Sequence, residues 1–117
     1  MDLSKYLDAE TRKYRECIEA CLECYIACER CADACLKEDD VAKMVDCIRT
    51  DLECAQACRD AALAMIRNSP SLGALCALCA EICDRCAREC GKYDPDHCKA
   101  CAEACRRCAT ECRKMAA

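Results

Sequence analysis

The stretch CIEACLECYIACERCADAC, residues 17–35, carries six cysteines at intervals of 4, 3, 4, 3 and 4. Side chains spaced by three and four stay on one face of an α-helix, and a mean spacing of 3.5 is the repeat of helices that pack knobs into holes. The stretch therefore reads as one helix with a single row of thiols: Cys17, Cys21, Cys24, Cys28, Cys31 and Cys35. The row returns twice. CALCAEICDRCAREC (76–90) has Cys76, Cys79, Cys83, Cys86 and Cys90, and CKACAEACRRCATEC (98–112) has Cys98, Cys101, Cys105, Cys108 and Cys112. Residues 44–65 hold a sparser row of Met44, Cys47, Asp51, Cys54, Cys58, Ala61 and Met65.

Little separates these rows. KEDD (37–40), NSPSLG (68–73) and GKYDPDH (91–97) break them, and both glycines and both prolines lie within the breaks. The expected helices run about 4–36, 40–67, 71–90 and 95–115 in one domain, 1–117. Asp39 or Asp40, Ser69 or Ser71, and Asp94 are the expected N-caps, Pro70 and Pro95 open helices, and Gly91 suits a left-handed C-terminal position. No segment alternates with period two, so strands are not expected. Short turns force consecutive helices antiparallel. The fold class is all-α, an up-down-up-down four-helix bundle with a cysteine-lined core.

Rows that face each other must agree in register, and between antiparallel neighbours residues at one level share a constant sum of residue numbers. Cys31 with Cys47 and Cys24 with Cys54 share one sum, Cys58 with Cys79 and Cys47 with Cys90 a second, and Cys79 with Cys108 and Cys83 with Cys105 differ by one. One set of layers follows. They are Cys17, Ala61, Cys76 and Cys112; Cys21, Cys58, Cys79 and Cys108; Cys24, Cys54, Cys83 and Cys105; Cys28, Asp51, Cys86 and Cys101; Cys31, Cys47, Cys90 and Cys98; then Cys35 with Met44. The rows line the inside of a tube.

Composition narrows what the tube can do. The 117 residues include 19 Cys and no Phe or Trp, so cysteine stands where hydrophobes usually do. A net charge of −4 with Lys and Arg scattered among Asp and Glu offers no basic patch, which argues against nucleic acid as a partner. Apolar runs such as AALAMI (61–66) are far too short for a membrane span, and MDLSKYLDAETRKYREC has no apolar core of a secretory signal. The expectation is a cytoplasmic protein, in a reducing compartment where thiols persist unless a metal takes them. With one His and two Gly, no Ser-His-Asp set, phosphate loop or paired-carboxylate site can be assembled, so no enzyme is expected.

Three readings compete for such an interior. Cysteine can serve as a small hydrophobe, but Ala, Val or Leu would pack without risk of oxidation. A disulfide-stapled bundle leaves thiols over, since 19 is odd, and a bundle of this size needs no staples. Metal is the third. An all-thiolate lining favours Cu(I), Zn or iron–sulfur clusters, and Zn closes a tetrahedron that loops usually gather. Cu(I) is satisfied by two or three thiolates, and sulfurs at i and i+3 or i+4 reach one ion without breaking the helix. If each Cu(I) takes two thiolates and each thiolate bridges two ions, capacity is about one copper per cysteine, on the order of 19 ions. Each ion displaces one thiol proton, so filling adds no net charge to a dry core. Softness alone leaves a metallothionein-like zinc-thiolate buffer open as an alternative.

From about Arg12 to Met115, the three in-phase ladders resemble those of the bacterial copper storage proteins, specifically the cytosolic kind with many cysteines. The resemblance implies a four-helix bundle holding many Cu(I) ions, and a homotetramer. A copper chaperone or a small thiol is the kind of donor such a store requires, and the sequence names neither.

The two ends of the tube differ. Beyond Cys17 the rows continue into Tyr14, Met65, Leu72 and Met115, with Leu7 outside them, an apolar plug. The opposite end has Cys35, Met44 and His97, with Asp94 on the row of the last helix. Thioether and imidazole both ligate copper, so Met44 and His97 mark the expected mouth, in agreement with how the resembled family loads metal. Asp51, set among cysteines, is read as a minor oxygen ligand, a hydrogen-bond acceptor or an exposed residue, with direct copper ligation disfavoured. Ile18, Leu22, Tyr25, Val45, Ile48 and Leu52 form a second apolar set beside the first two rows, which serves lateral packing or an oligomer interface.

Overall fold

A computed structural model describes residues 2–116. Among them are four α-helices, α1 (Arg15–Cys35), α2 (Val45–Ile66), α3 (Leu72–Cys90) and α4 (Asp96–Ala116), and no strand. Each packs on the next in chain order, and α4 closes on α1. The arrangement is an antiparallel four-helix bundle, and every cysteine is at most 1% exposed.

Alanine makes this core close. Ala20, Ala32, Ala55, Ala61, Ala62, Ala80, Ala87, Ala102 and Ala109 are all buried beside the thiol rows. Helix axes separate by 8–10 Å according to the side chains between them, and small flanking residues favour the short end of that range. Thiols from four helices can then meet at the axis. Exposed ion pairs link the outside: Glu53 with Arg85 (2.6 Å, α2 to α3), Glu23 with Arg107 (2.6 Å, α1 to α4), and Asp84 with Arg113 (α3 to α4). Pairs of this kind contribute roughly 0–1 kcal/mol each.

The helix ends depart from the sequence expectation in identifiable ways. The first helix does not run from Ser4: two 3₁₀ turns, Leu3–Tyr6 and Thr11–Tyr14, precede α1. Leu7 is extended (φ −101°, ψ 145°) between them, and the chain restarts at a reciprocal box. There Thr11 N–H donates to Asp8 Oδ1, and Asp8 N–H donates to Thr11 Oγ1, both at 2.9 Å. Ser69, the expected cap ahead of Pro70, accepts from Ser71 N–H through its Oγ at 3.1 Å, but neither Asp40 nor Ser71 caps its helix with a side chain. Instead α1, α2 and α3 are each entered through a residue near φ −95°, ψ 0° (Tyr14, Met44 and Ser71). For α1 and α2 a preceding 3₁₀ turn begins the winding.

The left-handed position also lies elsewhere. Asn68, at φ 51°, ends α2, with Ser69 N–H donating to Ala64 O (2.8 Å) and Asn68 N–H to Met65 O (3.1 Å). That is a Schellman closure, and Asn tolerates it because its short polar side chain bonds locally. Tyr14 Oη donates to Asn68 Oδ1 at 2.9 Å and holds the turn from outside. Gly91 is right-handed (φ −65°), because α3 unwinds through shorter bonds from Lys92 to Glu89 and Tyr93 to Cys90. A Cβ on Gly91 would lie 3.0 Å from Ala87 O, so close approach rather than handedness suits glycine there.

Candidate metal centre

The sulfurs form a continuous column. In the layer of Cys24, Cys54, Cys83 and Cys105, the Sγ distances are 3.9 Å (24–54), 3.5 Å (54–83), 3.6 Å (24–105) and 3.8 Å (54–105). Cys21 lies 3.6 Å from Cys108, and Cys58 3.8 Å from both Cys79 and Cys108. Cys28 lies 3.6 Å from Cys101, and Cys47 3.4 Å from Cys90. These are the layers expected from the residue-number sums. Steps along one helix link each layer to the next, as in Cys24–Cys28 (3.9 Å), Cys54–Cys58 (4.0 Å), Cys86–Cys90 (3.8 Å) and Cys108–Cys112 (3.9 Å). All nineteen cysteines are free thiols. Several groups of four, such as Cys24, Cys28, Cys54 and Cys105, have their ligand atoms within 4.8 Å of one another. The spacing suits ions bridged by shared thiolates.

Burial and sulfur–sulfur contact govern the protons. Cys28, Cys58 and Cys112 are pushed upward, first by the adjacent Cys101 or Cys108 and further by burial. Cys86 and Cys108 are moved down by Cys101 and Cys112, which bond to them. At the end of the column, burial and the neighbouring Cys31 push Cys35 up to about 11.

Asp51 is completely buried at one level of the column, which rules out the exposed reading. Its Oδ1 accepts from Cys86 (3.4 Å), Cys90 (3.2 Å) and Cys101 (3.1 Å), while Oδ2 faces Cys47 Sγ at 3.8 Å. Burial, then the nearby Cys86, raises its pKa to about 9. The group is therefore a neutral acid at pH 7, and it is a hydrogen-bond hub of the metal-free column.

The two ends are unlike, as the sequence suggests. Leu7 and Met65 are buried at one end, with Tyr14, Leu72 and Met115 packed against the core. At the other, Met44 is buried in the core, and Tyr93, which sequence reading missed, is partly buried against the core cluster. His97 turns inward rather than into solvent. Its Nδ1 lies 3.4 Å from Cys31 Sγ and 3.6 Å from Cys98 Sγ, while Nε2 is 2.8 Å from Glu38 Oε1. Burial draws its pKa down, but Glu38 and Cys31 outweigh this and leave it raised. With a side chain 24% exposed, His97 touches both water and the column. Glu38 was also missed, and its signal was faint: it is one of three acids in KEDD, and only the fold brings it to His97.

A pH dependence follows from Asp51. Its folded pKa is raised, so folding takes up a proton between about pH 4 and 9, and this residue's contribution to stability falls as pH rises through that window. Asp51→Asn cannot ionise but still accepts from the thiols. In urea titrations of the reduced, metal-free protein, the variant should gain stability relative to wild type steadily from pH 5 to pH 8, by at most about 1.4 kcal/mol per pH unit. A difference that stays constant with pH would show that Asp51 is already ionised.

Comparison with known proteins agrees with this geometry. A family described as "Copper storage protein" matches residues 10–117. The uncharacterized cysteine-rich protein YhjQ of Bacillus subtilis (strain 168) is 52% identical over 101 residues, 86% of this chain and 94% of its own length. Among solved structures, the Cu(I)-bound copper storage protein BsCsp3 of B. subtilis is 52% identical with a TM-score of 0.85, covering 89% of this chain and 99% of its own. A cytosolic copper storage protein from Streptomyces lividans, loaded with five coppers, is 39% identical with a TM-score of 0.86, covering 92% and 94%.

Proposed function

The chain belongs to the copper storage protein family, and from that premise we propose that its nineteen cysteines bind and store Cu(I) inside the bundle, in a non-catalytic, cytosolic role. The observation that carries this reading is the unbroken sulfur column. Neighbouring sulfurs at 3.4–4.0 Å let one thiolate serve two ions, so capacity scales with thiols rather than with isolated sites. The cytosolic placement rests on the S. lividans relative. Storage for use, buffering and detoxification all employ the same thiolates.

Met44 and His97 mark the mouth in this proposal. His97 reaches from the surface to Cys31 and Cys98, whereas the Leu7 and Met65 end offers hydrocarbon. A chaperone or small thiol would deliver copper at the His97 end. Anaerobic titration of the reduced protein with Cu(I), against a competing chelator, should continue to about one ion per cysteine. Saturation at four ions or fewer would overturn storage.

We also propose that the chain assembles into a homo-oligomer, with a tetramer as the form its family resemblance suggests. The second apolar set divides in the structure. Ile18 is buried, and Tyr25 and Ile48 are partly buried, so these serve packing within the bundle, but Val45 and Leu52 stay exposed. Ile26, 60% exposed, adds to them. Leu22 and Ile26 also line a surface groove with Leu3, Glu19, Glu23 and Arg107. Light scattering should give a multiple of the 13.0 kDa chain that collapses to one chain on replacing Ile26 and Leu52 by Lys. A wild-type monomer would contradict it.

A further inference from the structure

The group formed by Cys31, Cys35, Cys98 and His97 differs in chemistry from every all-sulfur layer behind it. Its Sγ atoms are 3.9 Å (31–35), 3.9 Å (31–98) and 4.0 Å (35–98) apart, and His97 Nδ1 stands 3.4 Å and 3.6 Å from Cys31 and Cys98. A tetrahedron with zinc–sulfur bonds of about 2.3 Å and a zinc–nitrogen bond of about 2.0 Å has edges of about 3.8 Å (S···S) and about 3.5 Å (S···N). The five measured edges are close to those of such a tetrahedron. An ionised Glu38 can only accept, so Nε2–H is the donor to it, and in neutral His97 this leaves the Nδ1 lone pair facing the sulfurs, the carboxylate–histidine arrangement that orients metal-bound imidazoles.

We propose that this quartet, the histidine-bearing end of the copper column, is a binding site for one Zn(II) ion that is held until Cu(I) displaces it. This inference accepts the storage reading and adds a second metal at its mouth.

Edge lengths alone would not choose the mouth, because sulfurs in contact anywhere in the column are similarly spaced. Charge makes the choice. The first zinc in an interior quartet, such as Cys24, Cys28, Cys54 and Cys105, joins four thiolates and carries a net −2 in a dry core. The buried residues of that core include no Lys or Arg to offset it. Helical backbone N–H groups are already spent on carbonyls four residues back, so they cannot solvate those thiolates as loop amides do in zinc knuckles. At the mouth, neutral His97 replaces one thiolate. Binding releases three thiol protons, with any that His97 carries, and leaves −1 on the zinc and its four ligands; the site adjoins the Glu38 carboxylate and the last turn of α1, but its imidazole is partly exposed to water and Cys98 lies in the positive first turn of α4. Cu(I), softer and more thiophilic, then displaces the ion as loading begins.

The test uses the reduced, full-length protein under anaerobic conditions, titrated with Zn(II) alone against a chromophoric zinc chelator, and zinc-edge absorption spectroscopy of the product. The expected result is one ion per chain, bound by three sulfurs and one nitrogen, and released when Cu(I) is added. His97→Ala should weaken retention at least tenfold, and Glu38→Ala by about 10–100-fold, with Glu38→Gln recovering much of the loss because its amide oxygen still accepts from Nε2–H. Circular dichroism of each variant verifies that the bundle is folded. No retained zinc, several ions per chain, a four-sulfur shell, or unchanged retention in both His97→Ala and Glu38→Ala would overturn the proposal. A Cu(I) titration on the same preparation separates the two claims: normal copper uptake without zinc binding defeats only this inference, whereas loss of both defeats the storage reading as well.

Discussion

Contact between sulfurs of different helices, at 3.4–4.0 Å and away from water, is the condition on which the rest of the molecule depends. It requires helices close enough for a side chain only two heavy atoms long to reach the axis from all four sides. Alanine beside each row supplies that approach, and larger flanking residues would part the rows. The same small residues bury little hydrocarbon, so the metal-free bundle draws less from the hydrophobic effect than a Leu-rich one would. A ligand held only by the folded column adds stability by mass action. Capacity and stability are thus linked through one choice of side chains.

Charge accounts for which metal the column suits. A monovalent ion that displaces one proton per thiolate can fill a dry core without accumulating charge, and among the described residues no cationic side chain is buried there to offset a more highly charged complex. Asp51 obeys the same rule. Buried among thiols, it keeps its proton and makes hydrogen bonds, and so gives the column a neutral oxygen where a layer would otherwise have a fourth sulfur. His97 is partly exposed, so it can face both solvent and sulfur without that constraint.

Much of this was legible in the sequence because cysteine is rare enough to mark register. The spacing of Cys17 to Cys35, of Cys76 to Cys90 and of Cys98 to Cys112 defines which face of each helix is inside, and the number sums assign partners such as Cys47 and Cys90. The ends were less legible, since caps depend on local hydrogen bonds that several residues can make. Asp8 with Thr11 restarts the chain where a continuous helix was expected, and Asn68 rather than Gly91 takes the left-handed position. The inward turn of His97 depends on Glu38, 59 residues away in the chain, and no periodicity reports such a pair. Asp51 lay in the right row, but only the packed structure shows that Cys86, Cys90 and Cys101 donate to its Oδ1 and Cys47 to its Oδ2.

The central claim is that the column itself is the store, with its thiols already in position before metal arrives. Crystals of the Cu(I)-saturated protein, measured at the copper absorption edge, would locate the ions directly by anomalous scattering. The account predicts a file of copper sites along the bundle axis, through the Cys24, Cys54, Cys83 and Cys105 layer and those on either side, with each ion on two or three sulfurs and the helices in the register described. Copper confined to one end, bound on the outer surface, or absent from that central layer at saturation would contradict it.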